Sequence, residues 1–156
     1  MTKKTNRNTK LLAVSAIGLT SFYLYFNRNP YREIQDGTVS PSDGTIESIV
    51  NNRIDIFIGI TDVHFQRAPI SGTITNIQDF PNENKNIIII NNILTVERRG
   101  GMIARSVITN VNIGDYIEKG QIIGRILLGS RCAIYPIYNP TVKVGDYVLA
   151  EQTIEL

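Results

Sequence analysis

The pattern of hydrophobic and polar residues divides the chain into two regions. Residues 11–26, LLAVSAIGLTSFYLYF, form a run of sixteen residues without a charge, whereas from residue 36 onward short β-branched runs are broken by Gly, Pro, Asn and Asp. A long apolar run favours a helix, and short runs between turn residues are typical of an all-β domain. We therefore predict a hydrophobic helix within residues 1–35 and a mainly β domain over residues 36–156.

The apolar run has the features of a membrane anchor. The ten residues before it, MTKKTNRNTK, hold four Lys or Arg and no acid. As a helix the run reaches only ~24 Å, a little less than a comfortable span. It ends in bulky aromatic residues. Such residues are typical of a membrane interface, whereas a signal-peptide cleavage site has small residues. The sequence predicts an uncleaved N-terminal anchor, with a cleaved signal peptide or a buried helix of a soluble protein as alternatives.

Composition narrows the classes of function. A formal net charge of +2, without a basic and aromatic patch after residue 35, argues against a nucleic-acid partner. The single cysteine, Cys132, excludes an internal disulfide framework and a zinc site built from cysteines, and we expect no metal. Cys132 is expected to be a small buried residue.

Two internal repeats organise the β region. SPSDGTIESI at residues 40–49 echoes APISGTITNI at 68–77, and VNIGDYIEKGQIIG at 111–124 echoes VKVGDYVLAEQTIE at 142–155. In the second pair, Gly-Asp supplies a tight turn before a strand resumes. Paired half-motifs predict a duplicated, barrel-sandwich-like β domain.

A barrel sandwich also suits a carrier of lipoyl or biotinyl groups, or a binding domain without catalysis. A carrier needs a lysine at an exposed hairpin tip, and Lys85 in PNENKN is the candidate. A solvated turn lysine is the simpler interpretation of Lys85.

Three polar residues offer a nucleophile, a base and an acid. His64 is the one histidine of the chain, Asp43 lies in the SPSDG turn, and Ser130 follows Gly129 in LGSR. Such a set can orient an imidazole and activate a hydroxyl if the fold brings the three side chains together. Glycine within a strand-forming segment also marks a place where the backbone or a ligand must come close.

Five blocks in order carry a family resemblance. FNRNPYRE, SPSDG, DVHFQRAPISGTI, GGMIARSVITNVNIGDYIEKGQIIGRILLGSR and VKVGDYVLAEQTI run from residue 26 to the C-terminus. Together they resemble the phosphatidylserine decarboxylase family in its short, archaeal-like branch.

The resemblance implies a proenzyme that cuts itself between Gly129 and Ser130 and converts Ser130 into a pyruvoyl group. No coded side chain supplies the electrophilic ketone that amino-acid decarboxylation needs. His64 would take the serine proton, oriented by Asp43. The implied reaction converts phosphatidylserine to phosphatidylethanolamine and carbon dioxide.

The resemblance also implies partners and further site residues. The phospholipid substrate and the membrane are partners, and the two cleavage fragments would form a heterodimer, alone or in a higher oligomer. Arg67, Arg105 and Arg131 are candidates for contacts with the substrate carboxylate or phosphate. Arg67 stands where the longer branch of the family has a second histidine, so the roles of two histidines do not transfer to this chain.

Overall fold

The computed structural model describes residues 2–101, 107–127 and 130–156, with side chains from residue 9 onward. These residues form one α-helix, thirteen strands and one 3-10 turn at Pro81–Glu83. The helix and strands are α1 Thr2–Phe26, β1 Thr38–Val39, β2 Gly44–Val50, β3 Arg53–Ile58, β4 Phe65–Arg67, β5 Gly72–Phe80, β6 Lys85–Ile90, β7 Leu94–Arg99, β8 Val107–Thr109, β9 Tyr116–Ile117, β10 Ile122–Ile126, β11 Ser130–Tyr135, β12 Tyr147–Val148 and β13 Thr153–Glu155.

Helix α1 stands apart from the core of the β domain. Its segment Thr9–Phe26 has a mean hydropathy of 1.3 and is 0% buried. By length and composition it is able to cross a membrane. The predicted N-terminal hydrophobic helix is confirmed, and it is not the buried core helix that was the alternative.

The described residues of the β region form antiparallel strand pairs in three sheets. An eight-stranded sheet has the order β12-β2-β3-β11-β7-β6-β5-β9, a second sheet has the order β4-β10-β8, and β1 pairs with β13. Isoleucines alternate inward along β3 and β6 and fill two hydrophobic clusters with 0% exposure at most positions. Burial of these β-branched side chains on one face of each strand stabilises the sheets. The predicted mainly β fold is confirmed.

Each Gly-Asp turn closes in the same way, as the sequence repeats predict. The N–H of Asn112 donates to Asp115 Oδ2 at 2.7 Å, and the N–H of Lys143 donates to Asp146 Oδ2, also at 2.7 Å. The glycine before each aspartate has φ +94°. That left-handed conformation favours glycine, since it has no Cβ.

The two repeat pairs then interlock across the fold. Strand β9, after the first Gly-Asp turn, pairs with β5 in APISGTITNI, and β12, after the second, pairs with β2 in SPSDGTIESI. The N–H of Ile74 donates to Asp115 O at 2.9 Å, and the N–H of Ile46 donates to Asp146 O at 2.8 Å. Equivalent backbone bonds at both places indicate that the sequence repeats are structural repeats.

Candidate active site

Ser130 is the first residue of β11, where it pairs with Ile58 at the end of β3. Its residue exposure is 2%, and its Oγ has no hydrogen-bond partner among the described residues. Strand alternation turns Ser130 and Cys132 to the interior and Arg131 to the outside. A buried hydroxyl without a hydrogen-bond partner costs free energy, and a catalytic role is one explanation for such a group. Ser130 is therefore a candidate for chemistry.

His64 lies just before β4 and is 1% exposed. Its Nδ1 lies 2.8 Å from the carbonyl oxygen of Asp62. Because a carbonyl only accepts hydrogen bonds, the neutral ring donates from Nδ1 and carries its lone pair on Nε2. Nε2 is buried and has no hydrogen-bond partner in the described part of the chain. The imidazole is therefore held as a base with its basic nitrogen free.

The surroundings of His64 keep the ring neutral. Burial lowers the pKa of His64 below its ordinary value of 6.5, the contact with Asp62 opposes that shift, and the charges of Arg28 and Arg125 add to it. A base must be unprotonated before it can accept a proton, so this environment suits general-base chemistry near neutral pH.

The end of α1 lies directly against this imidazole. The ring centroids of Phe26 and His64 are 4.1 Å apart, with 33° between the ring planes. Nη2 of Arg28 donates to the carbonyl of Thr61 at 2.7 Å, three residues before His64. The hydrophobic helix and the candidate base are thus joined by direct contacts.

Asp43 occupies a different environment from the one expected. Its carboxylate forms an ion pair with Arg32, with Nη2 2.7 Å from Oδ2, and Oδ1 accepts the N–H of Ala150 at 2.9 Å. Both carboxylate oxygens of Asp43 thus bond Arg32 or Ala150, and His64 Nδ1 bonds the carbonyl oxygen of Asp62. The expected orienting contact between Asp43 and His64 is therefore not formed among the described residues, and the Asp62 carbonyl orients the ring instead. Asp43 instead ties the segment after α1 to the C-terminal repeat.

Two further buried polar atoms, on residues that sequence reasoning did not single out, lie in segments that flank the site. Oγ of Ser42 and Oε1 of Gln66 have no hydrogen-bond partner among the described residues, although both residues are 0% exposed. Gln66 Nε2 donates to the backbone oxygen of His64 at 2.9 Å. Ser42 lies within reach of the Cys132 thiol, whose pKa burial raises to about 12. The pattern is a buried polar region beside β11 rather than a purely apolar core.

Arg98 adds a positive charge to this interior. It is 0% exposed on β7, directly opposite Cys132, and it donates to Asn86 Oδ1 and, at 3.0 Å, to the carbonyl of Ile108. Burial lowers the pKa of Arg98 to about 10. The side chain fits because β10 has Gly124 at the place where a Cβ would overlap the guanidinium. The alternation of Leu94, Val96 and Arg98 is the sequence signal that could have shown this burial.

The three arginines expected at the substrate have different settings. Arg67 donates to the carbonyl of Gly120 at 2.7 Å and lies 3.3 Å from a carboxylate oxygen of Glu151, so its guanidinium is committed inside the fold. Arg131 pairs with Glu47 at 2.5 Å on the outer face of the sheet. Arg105 and Gly129 lie outside the described residues.

Lys85 does not have the setting that a carrier lysine needs. Its ammonium pairs with Glu83 at 2.6 Å and lies 4.3 Å from the ring centroid of Phe80. The side chain is only 16% exposed and belongs to the start of β6. It is therefore packed against its hairpin rather than extended at a tip.

Comparison with known proteins decides the family. The sequence model of the phosphatidylserine decarboxylase family matches residues 19–155. The chain belongs to the phosphatidylserine decarboxylase family. The match covers the end of α1 and nearly the whole β domain, and it confirms the resemblance drawn from the five sequence blocks.

Relatives in this family come from archaea and bacteria. A Methanosarcina mazei protein provisionally named archaetidylserine decarboxylase proenzyme is 34% identical, over 92% of this chain and 78% of the relative. A protein of Archaeoglobus fulgidus with the same provisional name is 33% identical, over 94% of this chain and 83% of the relative. The phosphatidylserine decarboxylase proenzyme of Streptomyces avermitilis is 34% identical, over 92% and 78%.

Proposed function

We propose that this protein is a proenzyme that cuts itself between Gly129 and Ser130 and then decarboxylates phosphatidylserine to phosphatidylethanolamine. The observation that carries the proposal is that Ser130 Oγ and His64 Nε2 are buried without a hydrogen-bond partner among the described residues, in a family whose relatives are named decarboxylase proenzymes. Cleavage of a backbone bond at Ser130 requires a nucleophile and a base, and these two atoms can act as such.

The cleavage uses groups of this chain and one water molecule. His64 accepts the hydroxyl proton at Nε2 and passes it to the leaving nitrogen, while Ser130 Oγ attacks the carbonyl carbon of Gly129, so that the peptide C–N bond breaks and an ester forms. Loss of the Ser130 α-proton then breaks the bond between Cβ and Oγ of Ser130 and releases Gly129 as a carboxylate that keeps this oxygen. Water replaces the nitrogen of the dehydrated residue, which leaves as ammonia, and a pyruvoyl group remains.

The surroundings of Ser130 fit such a group. The residue is 2% exposed, and its side-chain oxygen makes no hydrogen bond among the described residues, so the departure of that oxygen with the Gly129 carboxylate breaks no such contact. A pyruvoyl group at this position would supply the electrophilic carbonyl that decarboxylation needs as an acceptor for the electron pair of the bond between Cα and the carboxylate. His64, the one imidazole in the chain, is the proposed donor of the proton that returns to the substrate Cα.

The sheet supports a stable pair of fragments after the cut. Strand β11 lies between β3 and β7, while β12 pairs with β2 and β13 pairs with β1. Every one of these pairs joins a strand before residue 129 to a strand after it. A cut at this bond therefore leaves the fragments interleaved in shared sheets, as a heterodimer.

The substrate class follows from the head group and the anchor. Relatives are named for phosphatidylserine and for archaetidylserine, which share the phosphoserine head group. Helix α1 is proposed to anchor the protein in the membrane that holds this lipid, through residues 1–35. The β domain, residues 36–156, is proposed to carry the chemistry.

Intact-mass analysis of the full chain in detergent tests the proposal. Wild-type protein should give two fragments that meet at residues 129 and 130, the second starting with a carbonyl group, and should release carbon dioxide from phosphatidylserine. Ser130→Ala should give one uncut chain without activity. The control Ser48→Ala changes a partly buried serine that bonds Asp55 at 2.8 Å and should behave as wild type. An active, uncut Ser130→Ala protein would overturn the proposal, and a mass increase on Lys85 would favour the carrier.

A further inference from the structure

The loop between β3 and β4 presents an apolar tip to the outside. Ile60 is 53% exposed. The loop is closed by two hydrogen bonds, from the Gly59 N–H to Asp62 Oδ2 at 2.7 Å and from the Asp62 N–H to the Gly59 carbonyl at 3.1 Å. Ile60 is therefore held outward by an ordered turn.

This loop is tied to the end of α1. The Arg28 guanidinium donates to the carbonyl of Thr61 at 2.7 Å and lies 3.9 Å from the ring centroid of Tyr25 in the last turns of the helix. None of the segment Thr9–Phe26 is buried, so its apolar surface before Tyr25 and Phe26, which contact Arg28 and His64, is open to lipid. Where α1 meets the membrane surface, the loop with Ile60 lies beside it.

Two aromatic residues extend the exposed apolar surface. Phe57 of β3 is 45% exposed and Tyr147 of β12 is 52% exposed. Both residues pair with Thr45 of β2, which lies between them. The Tyr147 hydroxyl donates to Asp62 Oδ1 at 2.8 Å, which joins this surface to the loop. Tyrosine, with an apolar ring and a polar tip, is enriched where lipid tails meet head groups.

The candidate catalytic serine lies at the same end of β3, where the strand leads into the loop with Ile60. Ser130 pairs with Ile58, between Phe57 and the loop that carries Ile60. The substrate of the proposed reaction is a lipid whose tails stay in the bilayer, because each buried CH₂ adds about 0.8 kcal/mol of membrane affinity. A site for its head group therefore has to reach the membrane surface.

We propose that Phe57, Ile60 and Tyr147 form a docking surface that inserts into the interface of the bilayer entered by α1, and so holds the Ser130 end of β11 at the head-group layer. The occupant is lipid because this surface is continuous with an uncovered membrane helix through the contact of Arg28 with Thr61. This inference rests on the proposed function, because a lipid head group has to reach Ser130 only if the protein acts on a phospholipid.

A single introduced tryptophan tests the docking directly, since the chain has none. Ile60→Trp and Ile93→Trp are compared as full chains in vesicles of phosphatidylcholine and phosphatidylserine, with and without brominated acyl chains. Ile93 is the matched control because it is similarly exposed, at 63%, but lies in the turn between β6 and β7. That turn precedes β7, whereas Arg99 at the other end of β7 pairs with Arg131, next to Ser130, so Ile93 is far from the proposed docking surface. Only the tryptophan at residue 60 should shift its emission to the blue and be quenched by bromine.

A charge on the docking surface tests its effect on catalysis. The ratio of the decarboxylation rate on vesicles to that on a soluble short-chain phosphatidylserine should fall about tenfold in Ile60→Asp, since a carboxylate resists entry into the interface. It should stay at the wild-type value in Ile93→Asp.

The outcomes separate the two proposals. An unquenched tryptophan at residue 60, or an equal rate ratio in both aspartate variants, overturns the docking. A blue shift without bromine quenching also overturns it and points to a second copy of the chain. The fluorescence result needs no activity, so a wild-type protein that neither cuts itself nor decarboxylates would refute the proposed function alone.

Discussion

The ring of Phe26, the last residue of α1, stacks on the ring of His64 at a centroid distance of 4.1 Å. The two residues are 38 positions apart in the sequence, so this contact is made only when the segment after α1 folds back on the β domain. Helix α1 therefore ends as one wall of the candidate site. Any movement of α1 relative to the β domain would change the surroundings of the imidazole.

The pH dependence of self-cleavage should report His64. Because burial lowers the pKa of His64 below 6.5, the imidazole stays neutral at and somewhat below that pH. The cleavage rate should be level near neutral pH and fall about tenfold per pH unit below the lowered pKa, as the base becomes protonated. Quenched time courses analysed by gel would measure it. A rate that rises on acidification would contradict His64 as the base.

His64→Ala should accumulate the uncut chain. Loss of general acid-base help costs ~10² to 10⁴ in rate, so a slow residual cut after long incubation is expected. The cut fraction would be followed against time for wild type and variant, with matching circular dichroism spectra as the control for folding. Wild-type cleavage in His64→Ala would leave Ser130 without the proposed base.

Phe26→Ala should raise the pKa of His64 toward 6.5, since removing the ring lets water reach the imidazole. The chain has one histidine, so NMR titration of the imidazole in the uncut Ser130→Ala background gives an unambiguous curve. Phe22→Ala is the control, because Phe22 packs on Phe26 at 6.0 Å but is 51% exposed itself. Identical titration curves for both variants would show that the ring contact does not shield His64.

Arg32→Met should destabilise the fold by about 3 kcal/mol, because it leaves the buried carboxylate of Asp43 without its cation. The Asp43 side chain is 2% exposed. The matched control is Arg131→Met, which breaks the exposed pair with Glu47 and should cost about 1 kcal/mol or less. Denaturant unfolding in detergent, followed by near-ultraviolet circular dichroism, measures both. Equal losses would mean that the Arg32–Asp43 pair is no more than a surface contact.

Asp43→Ala should slow self-cleavage as well as lower stability. Asp43 bonds Ala150 and Arg32 rather than His64, so its influence on the cut is expected to pass through the position of the segment that follows α1. If so, Arg32→Met should slow cleavage to a similar extent at matched folding, as measured by the cut fraction over time. A slow Asp43→Ala beside a wild-type rate in Arg32→Met would instead favour direct action on His64.

The sequence anticipated the features that depend on local chemistry. The repeats predicted two Gly-Asp turns. Both turns close with the same hydrogen bonds because the turn is determined by a glycine and an aspartate next to each other. The uncharged run predicted α1 because a long apolar run favours a helix. The family resemblance pointed to His64 and Ser130, and each has a buried polar atom without a hydrogen-bond partner in the described part of the chain.

Contacts between distant segments were not predictable from the pattern. Asp43 was expected beside His64, but the chain brings Arg32 and Ala150 to its carboxylate instead. Arg98 is charged, yet it is buried because Gly124, on another strand, leaves space for its guanidinium.

By itself the sequence determined the class of fold, the hydrophobic helix and the repeated turns. These depend on neighbouring residues, whose periodicity and turn preferences act over a few positions. The proposal of His64 and Ser130 came instead from the family resemblance. Only the tertiary structure decided that Phe26 covers His64, that Asp43 pairs with Arg32 and that Ile60 lies beside the end of α1. The physical reason is that burial and pairing of a side chain depend on which distant strands close around it, and single-sequence patterns do not encode that packing.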